Sequence, residues 1–380
     1  MVKDVGLGLK NIEGINRMWT KEEWVEVNRL IDEGYITKRF NSDNSLYILN
    51  YGQKAQFESL WNKYTLNSRG HIYRADTNQI IARPFSKFFN YEEIINKDLG
   101  FDVPNLDFDA FDKADGSLGI LYKDLNGDYK ISTRGSMESE QAIEGTKILN
   151  EKYGDICFRP HVTYLFEIIF PENRIVIDYK DKRDLILLAT IDTESGQDIP
   201  LYPFGMPLIK QYNGVTDFTT LKEKFGKDNM EGFVIKFSNG FRMKIKLEEY
   251  VRLHRILTGV NEKTIWDVLR NNESLESFLE GVPEEFETWI RKVDRELKDK
   301  FKSIMEECIS IKKEIDKKVS IEESIDYRDY KKKIAKEVLK IENKDFIGVI
   351  FSMIDGRDFF DHIWKMIKPS GNVTYTKEEE

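Results

Sequence analysis

The pattern of apolar and polar positions changes about two thirds of the way along the chain. Up to about residue 250, short apolar or alternating runs are separated by turn residues, which is typical of strands. Beyond about residue 254, apolar residues recur every three or four positions with charged residues between them, which is typical of amphipathic helices. The chain is therefore predicted to be α+β in its first part and all-helical in its second.

In the first part, most of the predicted elements are strands. One helix should begin at the capping box of Thr20 and Glu23 and end at Gly34, and another should occupy residues 138–153. A short helix is predicted near residues 57–61. The predicted strands are residues 35–40, 46–51, 118–122, 129–137, 164–170, 173–177, 185–189, 231–236 and 241–246.

The second part is dominated by one long amphipathic helix over residues 283–318, begun by Pro283. A capping box at Ser320 and Glu323 follows, and further helices are predicted over about 327–340, 345–354 and 357–367. Pro369 stops the last helix, and residues 371–380 are predicted to form a disordered tail. The predicted domains are residues 1–253 and 254–370.

The composition is that of a globular protein without membrane segments. The chain has 380 residues, of which 33% are charged and 40% hydrophobic, and it contains no apolar run long enough to span a membrane. We therefore expect a cytoplasmic protein. The two cysteines, Cys157 and Cys308, both lie in apolar contexts, so neither a disulfide nor a zinc site is expected. The net charge of -9 neither predicts nor excludes a nucleic-acid partner, since a groove can be basic on an acidic protein.

The segment from Lys113 to Ser117 carries the strongest candidate for chemistry. It follows an acidic and apolar run and leads into a buried strand, so Lys113 should sit on a rigid element. A lysine attacks an electrophile only as the free amine, which requires burial or cationic neighbours that lower its pKa. Gly116 would let the backbone approach a ligand closely. Asp-Gly is also a common hairpin dipeptide, so the segment alone leaves an ordinary turn open.

Two carboxylates and two lysines lie in later strands of the first domain. Glu167 interrupts an apolar run, and a buried carboxylate needs either a ligand or an ion-pair partner. Glu231 begins a strand whose partner carries Lys244 and Lys246 on one face. Alternating lysines usually mark an exposed strand face. Here they would form a clamp for phosphate oxygens that also disfavours a third ammonium nearby, as Lys113 requires.

Basic residues also sit close to aromatic residues in two segments upstream of Lys113. Arg69 is followed by Gly70, and Arg83-Pro84 is followed by Lys87, Phe88 and Phe89. By themselves these segments fit a simpler interpretation, in which the phenylalanines belong to the core and the cations are solvated.

Taken together, these motifs resemble those of the covalent nucleotidyltransferases, which comprise RNA ligases, DNA ligases and mRNA capping enzymes. The resemblance is most specific to the bacteriophage ATP-dependent RNA ligases of the RNA ligase 1 type. It rests on Arg69-Gly70, Arg83-Pro84 with residues 87–90, residues 113–117, Gly135-Ser136 with residues 139–142, Phe166-Glu167 with residues 173–176, residues 231–234, Lys244 with Lys246, residues 250–254 and, more weakly, residues 346–351.

The resemblance implies a nucleotidyltransferase domain of antiparallel, ATP-grasp-like sheets, followed by a helical C-terminal domain that selects RNA. The implied reaction joins 5′-phosphate and 3′-hydroxyl RNA ends through lysyl-AMP and RNA-adenylate, with ATP as substrate and Mg²⁺ as cofactor. The implied partners are single-stranded RNA ends or a nicked stem-loop such as a tRNA, in the cytoplasm of a host cell, with no obligate protein partner.

The same resemblance implies a role for each candidate residue. Lys113 would be the nucleophile, and Lys244 and Lys246 would hold the α-phosphate. Glu167 would accept hydrogen bonds from the ribose, and Glu231 would bind both the nucleotide and Mg²⁺. The remaining nucleotide-binding candidates are Arg69, Lys87, Phe89, Gly116 and Arg134.

The chain departs from the family pattern at two places. Arg134 stands where the family has lysine, which keeps the charge but replaces a point charge by a planar fork. Leu187 and Leu188 are aliphatic where related ligases stack an aromatic ring on adenine, so the residue that packs on the base is left open. The alternatives are a DNA ligase or capping-type enzyme, disfavoured by the helical second part, and a non-catalytic RNA-binding protein on the same fold.

Overall fold

The computed structural model describes residues 19–201, 204–319, 326–371 and 373–374. The described residues divide into two compact units, of which the first reaches to Val251 and the second begins at Arg252. The predicted capping box at Ser320 and Glu323 and most of the predicted tail lie outside the described residues.

The first unit opens with a helix and a four-stranded antiparallel sheet. Helix α1 is capped as predicted, because Thr20 and Glu23 each accept a hydrogen bond from the other's backbone amide. The sheet has the order β1-β2-β3-β4. Two short helices, α2 and α3, follow β2. In chain order, the elements of this part are α1 Lys21–Asp32, β1 Ile36–Phe40, β2 Leu46–Tyr51, α2 Gln53–Phe57, α3 Lys63–Asn67, β3 Arg69–Arg74 and β4 Ile80–Ala82.

Two five-stranded sheets form the rest of the first unit. One has the order β11-β10-β9-β7-β8 and the other β12-β6-β13-β14-β5, and every pairing is antiparallel except that between β14 and β5. Their elements are β5 Phe89–Asn90, α4 Tyr91–Asn96, β6 Phe108–Asp112, β7 Ser117–Lys123, β8 Tyr129–Ser132, α5 Glu140–Tyr153, β9 Val162–Ile169, β10 Asp184–Asp192, β11 Asp198–Ile199, β12 Gln211–Tyr212, α6 Leu221–Phe225, β13 Gly232–Phe237 and β14 Arg242–Lys246.

Alternation along these strands separates core from site. In β14, Met243 and Ile245 are buried in a core with Phe233 and Ile235 of β13. The alternate residues of β14, among them Lys244, face the other way. The outer face of the other sheet is covered by α5, whose Ile148 and Leu149 pack with Phe166 and Ile168. Apolar burial thus leaves the inner faces of both sheets free to carry polar groups.

The second unit is helical in its described residues, apart from an isolated bridge between Asn261 and Thr374. Its central element is α10, and the dividing line between the units falls within α7. One end of α10 packs on Trp266, and the other packs on α11 and α12. The helices are α7 Glu248–Gly259, α8 Glu262–Arg270, α9 Glu276–Leu279, α10 Glu284–Lys318, α11 Tyr327–Val338, α12 Phe346–Ile354 and α13 Phe360–Met366.

The predicted fold class, α+β followed by a helical part, is confirmed. The predicted strand at 173–177 is wrong, because a 3₁₀ turn occupies Pro171–Asn173 and the amides of Val176 and Ile177 donate to a side chain, the Asp115 carboxylate. The short helix predicted near 57–61 is misplaced, because one helix ends at Phe57 and the next begins after its cap at Asn62, so that residues 58–61 connect the two. The strand predicted at 129–137 ends at Ser132.

Candidate active site

A cavity of about 890 Å³ lies between the inner faces of the two five-stranded sheets. Residues from β6, β12, β13 and β14 line one wall, and residues from β7, β9, β10 and β11 line the other. This volume is in the range of sites that bind nucleotide-sized ligands. Five of the predicted site residues line it: Arg69, Lys113, Gly116, Arg134 and Glu167.

Lys113 directly follows the last residue of β6, where the chain leaves the sheet. Its backbone amide donates to the carbonyl of Gly232 at 2.9 Å, so the neighbouring strand β13 fixes its position. Four residues later, at Ser117, the chain enters β7 of the opposite sheet. The short connection between the two sheets therefore holds Lys113 at the cavity, on the rigid element that the strand pattern predicted.

Asp115 fixes this connection through hydrogen bonds to its carboxylate. Its Oδ2 accepts hydrogen bonds from the amides of Val176 and Ile177, both at 2.9 Å, and its Oδ1 accepts one from the Tyr250 hydroxyl at 2.7 Å. The hydroxyl of Tyr179 accepts a hydrogen bond from the Asp115 amide. Asp115 is 3% exposed, so these partners satisfy a buried carboxylate. Sequence reasoning missed this role, because the partners lie 61 to 135 residues away.

Glu231 holds two lysines at once. Its Oε2 lies 2.8 Å from Lys113 Nζ, and its Oε1 lies 2.8 Å from Lys246 Nζ. Glu231 is 2% exposed and directly precedes β13, whose first residue, Gly232, lies opposite Lys246 in the β13–β14 pair. Two cations on one buried carboxylate leave this group of three with a net positive charge.

The expectation that neighbouring lysines lower the pKa of Lys113 is wrong for this state of the site. Burial acts to lower this pKa, but the carboxylates of Glu231, Glu167 and Asp115 outweigh burial and raise the pKa. Lys113 is therefore held as an ammonium. The sequence pattern revealed Lys244 and Lys246, but it did not reveal that Glu231 lies between Lys113 and Lys246.

Lys244 has the lowered pKa that was expected of Lys113. Burial lowers the pKa of Lys244 to about 7, and the charges of Lys113, Lys87, Lys246 and Arg69 act in the same direction. Its side chain points toward the cavity side of β14 and makes no ion pair within the described part of the chain. An anion placed among these groups would restore the charge of Lys244.

Lys87 and Arg69 extend this group of cations. Burial lowers the pKa of Lys87 to about 8, with Arg69 and Arg134 adding to the effect. Lys87 Nζ lies over the rings of Phe89 and Trp61, at 4.0 and 4.9 Å from their centroids. Nη1 of Arg69 is buried without a hydrogen-bond partner among the described residues. Crowded cations with unfilled hydrogen-bonding capacity favour the binding of phosphate oxygens.

Glu167 lies on β9, on the cavity wall opposite Lys244. Its Oε1 accepts a hydrogen bond from the Gly116 amide at 2.9 Å, which ties the carboxylate to the Lys113 segment. Burial raises the pKa of Glu167 to about 7, while Lys113 opposes the rise. A carboxylate in this position can accept hydrogen bonds from hydroxyl groups of a ligand.

Arg134 reaches the cation group from the loop after β8. Its Nη1 donates to the Tyr51 hydroxyl at 2.6 Å, and the guanidinium lies 5.1 Å from the centroid of the same ring. The backbone of Arg134 packs on Gly70, which explains why arginine is followed by glycine in the upstream motif. Tyr51 was not singled out in the sequence, where only its position at the end of a predicted strand was visible.

The remaining predicted site residues do not line the cavity themselves. Glu231 contacts both Lys113 and Lys246. Burial lowers the pKa of Lys244, and Lys113 and Lys87 lie close enough for their charges to lower it further. Phe89 is 3% exposed and belongs to the core of its sheet, where its ring supports Lys87. Phe85 and Phe88 line the cavity in its place.

Within the described residues, no group of three or more acidic, histidine or cysteine side chains is arranged to hold a metal ion. Mg²⁺ commonly keeps most of its water ligands and binds through one or two carboxylates, so such a group is not required. Glu167 and Glu231 are both oxygen donors, and the charge of Glu231 adds to burial in raising the pKa of Glu167, so the two carboxylates are close enough to share a hydrated cation.

No described helix is long and apolar enough to cross a membrane.

Comparison with known proteins identifies the region that contains these groups. Residues 67–250 match the RNA ligase family model, and this range contains every predicted site residue. Over residues 67–250 the chain is therefore similar to the RNA ligase family, which confirms the resemblance derived from the motifs.

Relatives match over different shares of their length. An RNA ligase of Rhodothermus phage RM378 is 24% identical over 91% of this chain and 92% of its own length. A protein of Autographa californica nuclear polyhedrosis virus, named as a bifunctional polynucleotide kinase/RNA ligase, is 27% identical over 68% of this chain. The match spans only 40% of that viral protein. The solved structure of an archaeal ATP-dependent RNA ligase covers 71% of this chain and 74% of its own at 13% identity, with a TM-score of 0.43.

Proposed function

We propose that the protein is an ATP-dependent RNA ligase that joins 5′-phosphate and 3′-hydroxyl RNA ends through lysyl-AMP and RNA-adenylate. The observation that carries the proposal is the arrangement of Lys113, Glu231 and Lys246 beside Lys87, Lys244 and Arg69. It unites a lysine nucleophile on a rigid element with more cations than the local carboxylates neutralise. The similarity of residues 67–250 to the RNA ligase family supports the same conclusion.

In the first step, Lys113 Nζ would form a bond to the α-phosphorus of ATP while the bond from that phosphorus to the bridging oxygen breaks and pyrophosphate leaves. Lys113 must first lose a proton, and Glu231 Oε2, at 2.8 Å, is the acceptor within reach. Lys244 and Lys246 would neutralise the charge on the α-phosphate. Such displacements at phosphorus depend mainly on positioning and charge neutralisation.

Other residues would bind the rest of the nucleotide. Glu167 faces the cavity and would accept hydrogen bonds from the ribose. Arg69, Lys87 and Arg134 lie together and would bind the β- and γ-phosphates, and later the 5′-phosphate of the RNA. Glu167 and Glu231 would hold a hydrated Mg²⁺, which would supply positive charge at the phosphates.

The later steps would use the same groups. The AMP passes from Lys113 to the 5′-phosphate of one RNA end, and a 3′-hydroxyl then displaces AMP and forms the phosphodiester bond. A DNA ligase or capping enzyme would call for a β-barrel domain after the nucleotidyltransferase domain. The described residues beyond Val251 are helical instead, which favours an RNA ligase.

The test is covalent labelling of the purified protein with α-³²P-ATP and Mg²⁺. We expect an acid-labile, base-stable phosphoramidate on the wild type and none on Lys113→Ala. Lys123→Ala is the matched control, since Lys123 is an exposed lysine at the end of β7 that does not line the cavity, and it should label like the wild type. Label retained in Lys113→Ala would refute the assignment of the nucleophile.

A further inference from the structure

The cavity-facing side chains of the sheet that carries Lys113 form rows across its strands. In the strand register, Gln211 lies opposite Phe111, Phe111 opposite Val234, and Val234 opposite Lys244. Side chains opposite one another in antiparallel strands share a face, and the next row on that face is about 7 Å away. This row therefore runs from Lys244, the lysine proposed to bind the α-phosphate, to the neutral amide of Gln211. The apolar residues Phe111 and Val234 lie between them.

A second polar group occupies the next row, farther from Lys113. Asp109 lies opposite Lys236, and both line the cavity. Asp109 Oδ2 lies 3.7 Å from Lys236 Nζ, and Asp109 Oδ1 accepts a hydrogen bond from Gln211 Nε2 at 3.0 Å. The Asp109 carboxylate therefore contacts Lys236 on one side and Gln211 on the other. Because Gln211 Nε2 donates to Asp109, Gln211 Oε1 is the end of the amide that can meet a ligand.

This inference rests on the proposed function, because it assumes that a nucleotide lies with its α-phosphate at Lys113. The base then lies over Phe111 and Val234, the apolar part of the first row. We propose that Gln211, oriented by Asp109, reads the edge of the base and selects adenine over guanine. Gln211 Nε2 is turned toward Asp109, so Oε1 is left to accept a hydrogen bond from the exocyclic amine of adenine.

Guanine would present a hydrogen-bond acceptor to Gln211 Oε1, where adenine presents a donor. It carries the O6 acceptor where adenine carries its amine, so O6 would face Gln211 Oε1. Turning the amide over would relieve that contact, but it would place Oε1 against the carboxylate of Asp109, which can only accept. Either arrangement leaves two acceptors facing each other, which costs guanine a hydrogen bond that adenine forms.

The test measures lysyl-nucleotide formation with α-³²P-ATP and α-³²P-GTP, for the wild type and two variants. In Asp109→Asn, the new amide can donate to Gln211 Oε1, so the Gln211 amide can turn and present Nε2 to O6. We expect GTP labelling relative to ATP labelling to rise about tenfold, the size of one hydrogen bond to a base edge. In Gln211→Ala, we expect weaker ATP labelling and a similar loss of preference.

Gln79→Ala is the control, since Gln79 is exposed in the β3–β4 turn and should leave both labels unchanged. Wild type labelled equally by both nucleotides, or variants that keep its preference for ATP, would overturn the role of Gln211. Absence of label from every nucleotide on the wild type would instead overturn the proposed function. Should Asp109→Asn fail to fold in a thermal unfolding assay, Gln211→Ala decides, because Gln211 is exposed and its removal leaves the core intact.

Discussion

Two glycines show at the scale of single residues how closely the backbone is packed around the charged groups. A Cβ on Gly70, which has a φ of +97°, would lie 2.6 Å from Cδ1 of Ile120 and 3.2 Å from Cα of Arg134. A Cβ on Gly116 would lie 2.5 Å from the carbonyl oxygen of Ile168 and 3.2 Å from Cγ of Glu167. Each glycine is therefore needed to let a site residue approach.

The change Gly116→Ala should displace Glu167 without unfolding the protein. Because the new methyl group meets strand β9, we expect lysyl-AMP formation to fall at least tenfold, which corresponds to about 1.4 kcal/mol of lost transition-state stabilisation. If Glu167 binds the ribose, the variant should also discriminate less between ATP and 2′-deoxy-ATP. Both quantities are measured by single-turnover labelling.

Gly259→Ala is the matched control for this substitution, because nothing lies within 4 Å of a Cβ at that position. It should leave both measurements unchanged. A Gly116→Ala variant with wild-type labelling would show that the close contact with Glu167 has no role in the reaction.

At the scale of elements, the pairing of β13 with β14 decides the charge state of the nucleophile. Gly232, which follows Glu231, lies opposite Lys246, so the carboxylate of Glu231 comes within reach of both Lys246 and Lys113. The pKa of Lys113 is raised because the carboxylates of Glu231, Glu167 and Asp115 together favour its charged form more than burial disfavours it. Lys246 weakens the effect of Glu231, since it shares that carboxylate.

Lys246→Ala should therefore raise the pKa of Lys113 further, since Glu231 would then pair with Lys113 alone. A smaller fraction of Lys113 would be free amine at a given pH, and each unit of pKa reduces that fraction tenfold. We expect slower lysyl-AMP formation at neutral pH and partial recovery as the pH rises. The measurement is the pH dependence of the single-turnover rate.

Lys246→Arg is the control, because it keeps the second positive charge on Glu231 and should leave the position of the pH profile close to that of the wild type. A profile that does not move in Lys246→Ala would contradict the shared carboxylate. In that case the lysine would act on the phosphate alone.

The strand pattern predicted these elements well where an apolar or alternating run forms a buried strand, and poorly where backbone amides pair with a side chain instead of a neighbouring strand. β2 and β9 are apolar runs buried on both faces, β14 alternates, and all three agree closely with the predicted strands. Residues 175–177 are also apolar, yet the amides of Val176 and Ile177 donate to Asp115. No local pattern distinguishes an amide that pairs with a strand from one that pairs with a distant carboxylate.

At the scale of the whole molecule, every predicted site residue lies in the first unit, before Val251. The sequence identified these residues by type and spacing, but most of their partners lie far along the chain. Tyr51 reaches Arg134 across 83 residues, and Tyr250 reaches Asp115 across 135. Such contacts follow from the tertiary fold, so a single sequence could predict the reactive groups but not the groups that orient them.

We expect a fragment ending at Thr258 to form lysyl-AMP and to join single-stranded RNA ends, because the first unit has its own cores and contains the site. The helical unit would select the RNA, in part through Lys332, an exposed lysine between the ion-paired Lys331 and Lys333. The fragment should therefore lose the preference of the full chain for a nicked stem-loop over single strands. Ligation of the two substrates in competition measures this preference.

A fragment that folds but cannot form lysyl-AMP would show that the helical unit completes the nucleotide site. Full preference for the stem-loop in the fragment would place RNA selection in the first unit. The full-length chain carried through the same purification is the reference for both outcomes.

The ion pair between Glu231 and Lys113 also has a consequence for chemical durability. An ammonium has no free electron pair, so a resting Lys113 does not react with stray electrophiles such as cyanate, acetyl phosphate or reducing sugars. Lys244, with a pKa of about 7, is more often a free amine at the same pH, and it would be carbamoylated first. The amine of Lys113, the proposed nucleophile, is thus protected between turnovers by the carboxylate of Glu231, which keeps it protonated.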